Sequence, residues 1–321
     1  MTTTQRKVIV GIGNVYVETN YLGLMTGGSH ALKVGKEYRS PKWETRLGGS
    51  VVNFVVQAKR LGMEVGLIGK VGKDEAGYKL LSLLKEKDIA SNLIVMSDDP
   101  LVQTSVDTGL VFEDAQNIQV VAGNANQSLS LKDIDLSNYF FDTVSAVYLG
   151  GFLKQTGLYK DYPELLKRLT DMGIRIFLDH GRIPVDVTSN QIEVLKKSMK
   201  YVEGYFPNGD ELAGITGEQD VSKTLDLAMQ MGPKFVVVKL GKDGCRIKTK
   251  SEDIIIPNPT VKAISTVGAG DAFNAGFITQ YLSNNSLKEA GKVACATAAI
   301  RVSKNTNPTR KEINDFLKIQ Y

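Results

Sequence analysis

The run Ser265-Thr266-Val267-Gly268-Ala269-Gly270-Asp271-Ala272-Phe273-Asn274-Ala275-Gly276 sets three small residues and a carboxylate at the mouth of an apolar helical stretch. Successive small residues let backbone N–H groups converge on one point, and a helix starting there adds positive potential. Gly268, Ala269 and Gly270 therefore read as an anion hole. A carboxylate at its rim would repel a bound anion, but it is suited to take a proton from a hydroxyl attacking that anion, which makes Asp271 a candidate general base. The same residues also read as an ordinary tight turn with Asp271 as helix N-cap.

Three further constellations carry polar groups on glycine turns. In Gly48-Gly49-Ser50-Val51-Val52-Asn53 the paired glycines allow a ligand to approach the backbone, and Asn53 offers donor and acceptor to a polyol; plain helix entry is the competing reading. In Pro207-Asn208-Gly209-Asp210-Glu211 an amide and a carboxylate share one helix face, able to hold Mg²⁺ through its waters; the same residues also form a capping box, and both readings can hold together. Lys239-Leu240-Gly241-Lys242-Asp243-Gly244 ends a buried strand, and Gly241 and Gly244 allow approach to a nucleotide or form a hairpin turn between Val238 and Ile247.

The elements that must position these groups alternate between β-branched runs and helical patterns, as in a parallel sheet with helices on both faces. Strands are expected at Lys7–Ile12, Glu64–Lys70, Ala146–Leu149, Arg175–Asp179, Val202–Phe206 and Phe235–Lys239. Helices are expected at Val51–Leu61, Glu75–Lys87, Tyr162–Met172, Ile192–Met199, Asp210–Ile215, Ser222–Met231, Ala272–Leu282, Leu287–Val302 and Lys311–Lys318. Segments of about 14–47 and 102–121 break the rhythm with turn residues and alternation, predicting antiparallel strands of a small β lid inserted into one α/β domain spanning 1–321. Ligands in such sheets lie beyond the carboxyl ends of the strands, where a lid can exclude water.

Composition narrows the functional classes. With 42% hydrophobic and 23% charged residues the chain is neither disordered nor fibrous, and a net charge of +4, spread without blocks, does not suggest a nucleic-acid surface. Cys245 and Cys295 lie in apolar or small-residue settings and read as reduced thiols. The opening MTTTQRK leads at once into Val8–Val10 and Gly11, too short for a signal-peptide core, and no apolar stretch has the roughly 20 residues of a membrane helix, so a cytoplasmic location is expected. With only His30 and His180, a histidine metal site or a Ser-His-Asp triad is improbable.

In this order and spacing, Gly48-Gly49…Asn53, Asn208…Glu211, Lys239–Gly244 and Thr266-Val267-Gly268-Ala269-Gly270-Asp271 resemble the ribokinase-like (PfkB) carbohydrate kinases over essentially the whole chain. The resemblance implies a three-layer α/β/α core with a mostly parallel central sheet and a small β-sheet lid. It implies MgATP as phosphoryl donor, and a hydroxymethyl group of a sugar or nucleoside as acceptor. Asp271 would be the base, with the Gly268, Ala269 and Gly270 amides stabilising the transferring group. Asn208 and Glu211 would order Mg²⁺ through water, Lys239, Gly241 and Gly244 would lie along the nucleotide, and Gly48, Gly49 and Asn53 would contact the acceptor.

The pattern also departs from that family. Where an Asp that binds acceptor hydroxyls is usual there stands Tyr16, and Asn14 or Glu18 is expected to replace it; an aromatic at Tyr16 could stack on a nucleoside ring. Ser265 stands where many relatives carry Asp beside a monovalent cation, and Asn305-Thr306-Asn307-Pro308 lacks a glycine common there, which argues against strong K⁺ activation. Asp179 is expected near the substrate, and Arg182 either meets a phosphate or carboxylate or lies in a solvated loop. Trp43, in the lid, fits a dimer interface or a lid core. A nucleoside kinase or a silent sensor on the same fold stand as alternatives to a sugar kinase.

Overall fold

The computed structural model describes residues 8–24, 32–113 and 117–320. Lys7, His30 and part of the expected lid segment lie outside the described residues. The chain runs β1 (Val8–Gly13), β2 (Tyr16–Leu24), β3 (Lys42–Gly48), α1 (Ser50–Arg60), β4 (Glu64–Gly72), α2 (Glu75–Glu86), β5 (Ile94–Ser97), β6 (Val106–Phe112), β7 (Asn117–Ala122) and the single-turn α3 (Ala125–Ser128). It continues through β8 (Val144–Gly150), α4 (Tyr162–Asp171), β9 (Arg175–Asp179), α5 (Ser189–Ser198), β10 (Gly204–Tyr205), α6 (Gly209–Thr216), α7 (Val221–Gln230), β11 (Phe235–Lys239), β12 (Cys245–Lys248) and β13 (Asp253–Ile256). Three helices, α8 (Ala269–Asn284), α9 (Leu287–Lys304) and α10 (Arg310–Gln320), complete it.

Nine strands form one sheet in the order β13-β12-β11-β10-β9-β8-β1-β4-β5, parallel apart from the β11–β12–β13 end. Strand β1 shows why its sequence is an unbroken apolar run. Side chains alternate between faces, and both faces are covered: Ile9 belongs to one core cluster with Val51 and Phe54 of α1 and Phe277 of α8, while Val8, Val10 and Ile12 belong to another with Leu165 of α4 and Leu195 of α5. The expected alternation of strands and helices is therefore present. Strands β5, β12 and β13 were not predicted; each is four residues long, at or beside a sheet edge, too short to carry a period of its own.

A separate four-stranded sheet, β3-β2-β6-β7, is built from the two segments that break the α/β rhythm. Pairs β2–β3 and β6–β7 are antiparallel as expected, but β2 and β6 are parallel, a correction to the fully antiparallel expectation. Alternation marks a strand without fixing its partner's direction, and here both strands leave the body toward the same side. On β2, Tyr16, Glu18 and Asn20 are buried, whereas Tyr21 and its register partner Trp43 face outward, Trp43 being 64% exposed. Trp43 is thus not a core residue of this sheet.

The order reverses at β1, whose neighbours are β4 and β8, so connections diverge and leave a crevice at the carboxyl ends of β1 and β8. Asn14, Gly151, the Asp179–Arg182 loop, Asn208 and Lys239 all follow strand ends on that side. Far apart in sequence, Cys245 and Cys295 come together in the core with sulfurs 4.0 Å apart, both free thiols. Among the described residues no helix is long and apolar enough to cross a membrane.

Candidate active site

Helix α8 opens on Gly268, whose φ of +74° places it in the left-handed region that glycine tolerates. The Ala269 N–H donates to the Thr266 carbonyl at 3.2 Å and closes the turn. Among the described residues, the N–H groups of Gly268, Gly270 and Asp271 meet no protein acceptor, as expected of a first helical turn. Convergent amides are thus present, but they centre on Gly268, Gly270 and Asp271, with Ala269 partly committed to the turn.

Asp271 is partly buried and held from both sides. Its Oδ1 accepts from the Ser50 hydroxyl, and its Oδ2 accepts from Asn53 Nδ2 at 2.9 Å. The two donors sit at the start of α1, where Gly49 has φ +103°, and a Cβ there would fall 2.3 Å from the Asn14 carbonyl oxygen. Asn53, expected to contact the acceptor, donates to Asp271 and also lines the smaller of the two cavities at this turn. Burial pushes the Asp271 carboxyl up, the two hydrogen bonds oppose this, and nearby Asp179 adds to it. A raised carboxyl is a better proton acceptor at neutral pH than an ordinary one.

Beneath the turn lies a buried ion pair. Lys239 Nζ is 2.6 Å from Asp179 Oδ2, which also accepts from Asn274 Nδ2 at 2.7 Å, while the Gly181 N–H donates to Oδ1. Lys239 lines the larger cavity, and a Cβ added to Gly270 would come 3.6 Å from its ammonium. Asp179, expected at the substrate, instead anchors this lysine below the site. His180, next in sequence, is fully buried with Nδ1 2.9 Å from the Tyr205 hydroxyl, and burial lowers it to about 4, so it is neutral and structural.

Asn208 and Glu211 form the capping box of α6: Asn208 Oδ1 accepts from the Glu211 N–H and Glu211 Oε2 accepts from the Asn208 N–H, both at 2.8 Å. Among the described residues that leaves Glu211 Oε1 uncommitted, and Glu211 also lines the smaller cavity. Burial and Asp179 push the Glu211 carboxyl up, while Lys239 pulls it down. Among the described residues no group of three or more His, Cys, Asp or Glu could enclose a metal. One free carboxylate oxygen beside an amide suits a Mg²⁺ that keeps most of its waters and arrives with phosphates.

Two cavities meet at the α8 turn. The larger, about 650 Å³, is lined by Lys239, Gly241, Gly244, Ala269 and Gly270 together with Phe273, Ala298 and Val302, a partly apolar slot beside the free amides. The smaller, about 260 Å³, is lined by Gly268, Asp271, Gly49, Ser50 and Asn53 on one side and by Asn14, Tyr16, Glu18 and Asp107 on the other. Gly48, Asn208 and Asp179 line neither. Gly48 acts from behind, since a Cβ there would lie 2.7 Å from Glu18 Oε2.

Glu18 is buried, and its Oε1 accepts from Arg46 Nη2 at 2.7 Å and Asn20 Nδ2 at 2.8 Å. Asn14 donates to the Tyr16 hydroxyl at 2.6 Å and its side chain abuts Gln155. The turn between β1 and β2 is pinned by Asn126, which exchanges two 2.9 Å hydrogen bonds with the backbone of Val15. Asp107 stands opposite Glu18 in the β2–β6 register, its Oδ1 buried without a hydrogen-bond partner among the described residues. Burial and Glu18 push Asp107 up to about 6. Sequence reasoning missed Ser50, Asp107, Asn126 and Lys154. Only Ser50, inside the Gly48–Asn53 run, carried a local signal.

A family model described as pfkB family carbohydrate kinase matches residues 8–309. Over 247 residues the chain is 27% identical to an uncharacterized sugar kinase of Archaeoglobus fulgidus, covering 76% of this chain and 94% of that protein. It is 26% identical over 300 residues to the ribokinase of Haemophilus influenzae, covering 89% and 92%. The fold matches the crystal structure of a ribokinase from Thermotoga maritima with a TM-score of 0.79 at 23% identity, over 97% of this chain and 99% of that one. With the family match running through both cavities and the turn between them, the chain belongs to the pfkB family of carbohydrate kinases and is an ATP-dependent sugar kinase of ribokinase-like fold.

Proposed function

We propose that the chain transfers the γ-phosphoryl group of ATP to a primary hydroxyl of a sugar, with Asp271 as general base. The observation that carries this reading is the shared wall of the two cavities: Gly270 faces the larger one and Asp271 the smaller, across a single helical turn with free amides. ATP in the larger cavity would set its phosphates against the Gly268, Gly270 and Asp271 N–H groups. An acceptor hydroxyl in the smaller cavity would then lie beside Asp271, on the far side of the transferring group. Phosphoryl transfer asks the protein mainly for positioning and charge stabilisation, which this turn and the Lys239 ammonium supply.

Ser50 and Asn53 aim the base, and Asp271 takes the hydroxyl proton as the new bond forms. Mg²⁺, when bound with the nucleotide, neutralises charge on the β- and γ-phosphates. Glu211 Oε1 and the Asn208 side chain would hold its waters. Glu18, Asn14 and Asp107 would read acceptor hydroxyls, and the small sheet that carries Glu18 and Asp107 would act as a lid excluding water. Tyr16 weakens the nucleoside alternative: its ring is 9% exposed and its hydroxyl is taken by Asn14, so little of its face is left for a base to stack on.

The test is ADP release by purified protein with MgATP across a panel of sugars. Asp271→Asn should lower kcat by roughly 10²–10⁴-fold, the usual contribution of a general base, while ATP binding by calorimetry persists. A variant that turns over at close to the parent rate would remove Asp271 from the mechanism.

A further inference from the structure

Two cations line the smaller cavity without an ion pair of their own among the described residues. Lys154 ends the short helical turn Phe152–Lys154 after β8, Arg182 lies in the loop after β9, and both line the cavity that contains Asp271. Strands β8 and β9 are parallel neighbours whose register ends at Gly150–Asp179, so their following loops emerge side by side. Among the described residues neither cation has a carboxylate within 4 Å, whereas two other basic groups near the turn do. Arg46 is paired with Glu18 at 2.7 Å and Lys239 with Asp179 at 2.6 Å.

Four carboxylates line the same cavity, and three of them are hydrogen-bonded to other groups: Asp271 to Ser50 and Asn53, Glu211 through one oxygen to the α6 cap, and Glu18 to Arg46 and Asn20, while Asp107 Oδ1 has no hydrogen-bond partner among the described residues. Both side chains are exposed, at the rim of the cavity, and desolvation together with Arg182 pushes the Lys154 ammonium down while Asp107, Asp271 and Glu211 pull it up. A cation at a cavity rim with no ion pair of its own keeps its donors available to an anionic ligand.

We propose that Lys154 and Arg182 read an anionic group carried by the acceptor sugar itself, a carboxylate or a phosphate, so that the substrate class is a sugar acid or sugar phosphate. The inference rests on the kinase reading above and narrows its acceptor. The guanidinium fork of Arg182 matches either group in a bidentate manner, and the ammonium adds a second charge-assisted contact.

The experiment compares aldonic and 2-keto aldonic acids, and sugar monophosphates, with their neutral parent sugars. Each is measured by ADP release and by calorimetric binding, with and without a non-hydrolysable ATP analogue. Anionic acceptors should show the higher kcat/KM, and whether acids or phosphates lead separates the two sources of charge. Lys154→Gln and Arg182→Gln should each raise KM for the anionic acceptor by about 10-fold or more, the weight of one charge-assisted hydrogen bond, with Arg182→Lys recovering part. Unchanged melting temperatures confirm that these variants fold.

Neutral sugars binding as tightly as their anionic counterparts would overturn the proposal. So would Gln variants that lower kcat alike for neutral and anionic acceptors, since the cations would then act on the transferring phosphoryl group. Anion-selective binding without turnover of any acceptor would count against the kinase reading alone and support this one, because calorimetry reads the cationic wall without catalysis.

Discussion

Removing one partner of the Asp179–Lys239 pair tests how the buried machinery supports the turn above it. The side chains are 5% and 14% exposed, and Asp179 accepts from Lys239, Asn274 and the Gly181 N–H. Asp179→Leu leaves the ammonium and two further donors unmatched, and breaking a buried pair from one side costs about 3–5 kcal/mol. An unfolding entropy of about 2.1 cal/mol/K per residue gives about 0.7 kcal/mol/K for this chain, so Tm should fall by about 4–7 °C. The double variant Asp179→Leu with Lys239→Met replaces the pair by apolar side chains and should recover much of that loss, because such swaps are often neutral or stabilising. Activity should not recover: the ammonium beside Gly270 is gone, and losing one preorganised stabiliser of transition-state charge costs about 10²–10³ in kcat. Calorimetric unfolding followed by ADP release on the same samples decides it. A double variant that melts no higher than Asp179→Leu, or that melts like the parent and phosphorylates at its rate, refutes the reasoning.

The smaller cavity should also be sensitive to pH through Asp107, whose carboxyl is raised to about 6 by burial and by Glu18, with Lys154 and Arg46 pulling the other way. Its folded value lies above the unfolded one of about 3.9, so its contribution to stability is full below that and is lost as pH rises through about 6. Asp107→Asn should therefore raise Tm relative to the parent above that range more than at acid pH, and a difference that does not vary with pH would refute the assignment. Replacing Na⁺ by K⁺ should leave turnover unchanged. Position 265 carries a hydroxyl that accepts from the Val267 N–H at 3.3 Å, and the Ile264 and Ser265 amides are turned to the Val302 carbonyl. A many-fold rise with K⁺ would show that the loop binds the ion without the usual carboxylate.

Features encoded within a few residues were legible in the sequence. The positive φ at Gly49 and Gly268 follows from glycine at a strand-to-helix or loop-to-helix turn. The Asn208–Glu211 capping box lies within four residues, and the apolar runs of β1 and β11 announce strands covered on both faces. From these alone come the α/β class and the glycine turn with Asp271 at its rim.

Tertiary structure decided which groups meet. Asn53 finds Asp271 from 218 residues away, and Asn126 pins Val15 from 111 away. Asp179 could be placed at the end of its strand, but not shown to turn under the site toward a lysine 60 residues on. Likewise Asp107 faces Glu18 only because β2 and β6 pair in parallel, and Lys154 and Arg182 line one cavity only because β8 and β9 are neighbours. Backbone conformation and capping are settled by interactions a few residues long, and so are written locally. Sheet order and register come from burying every apolar face at once, a condition on the whole chain that no short stretch of it contains.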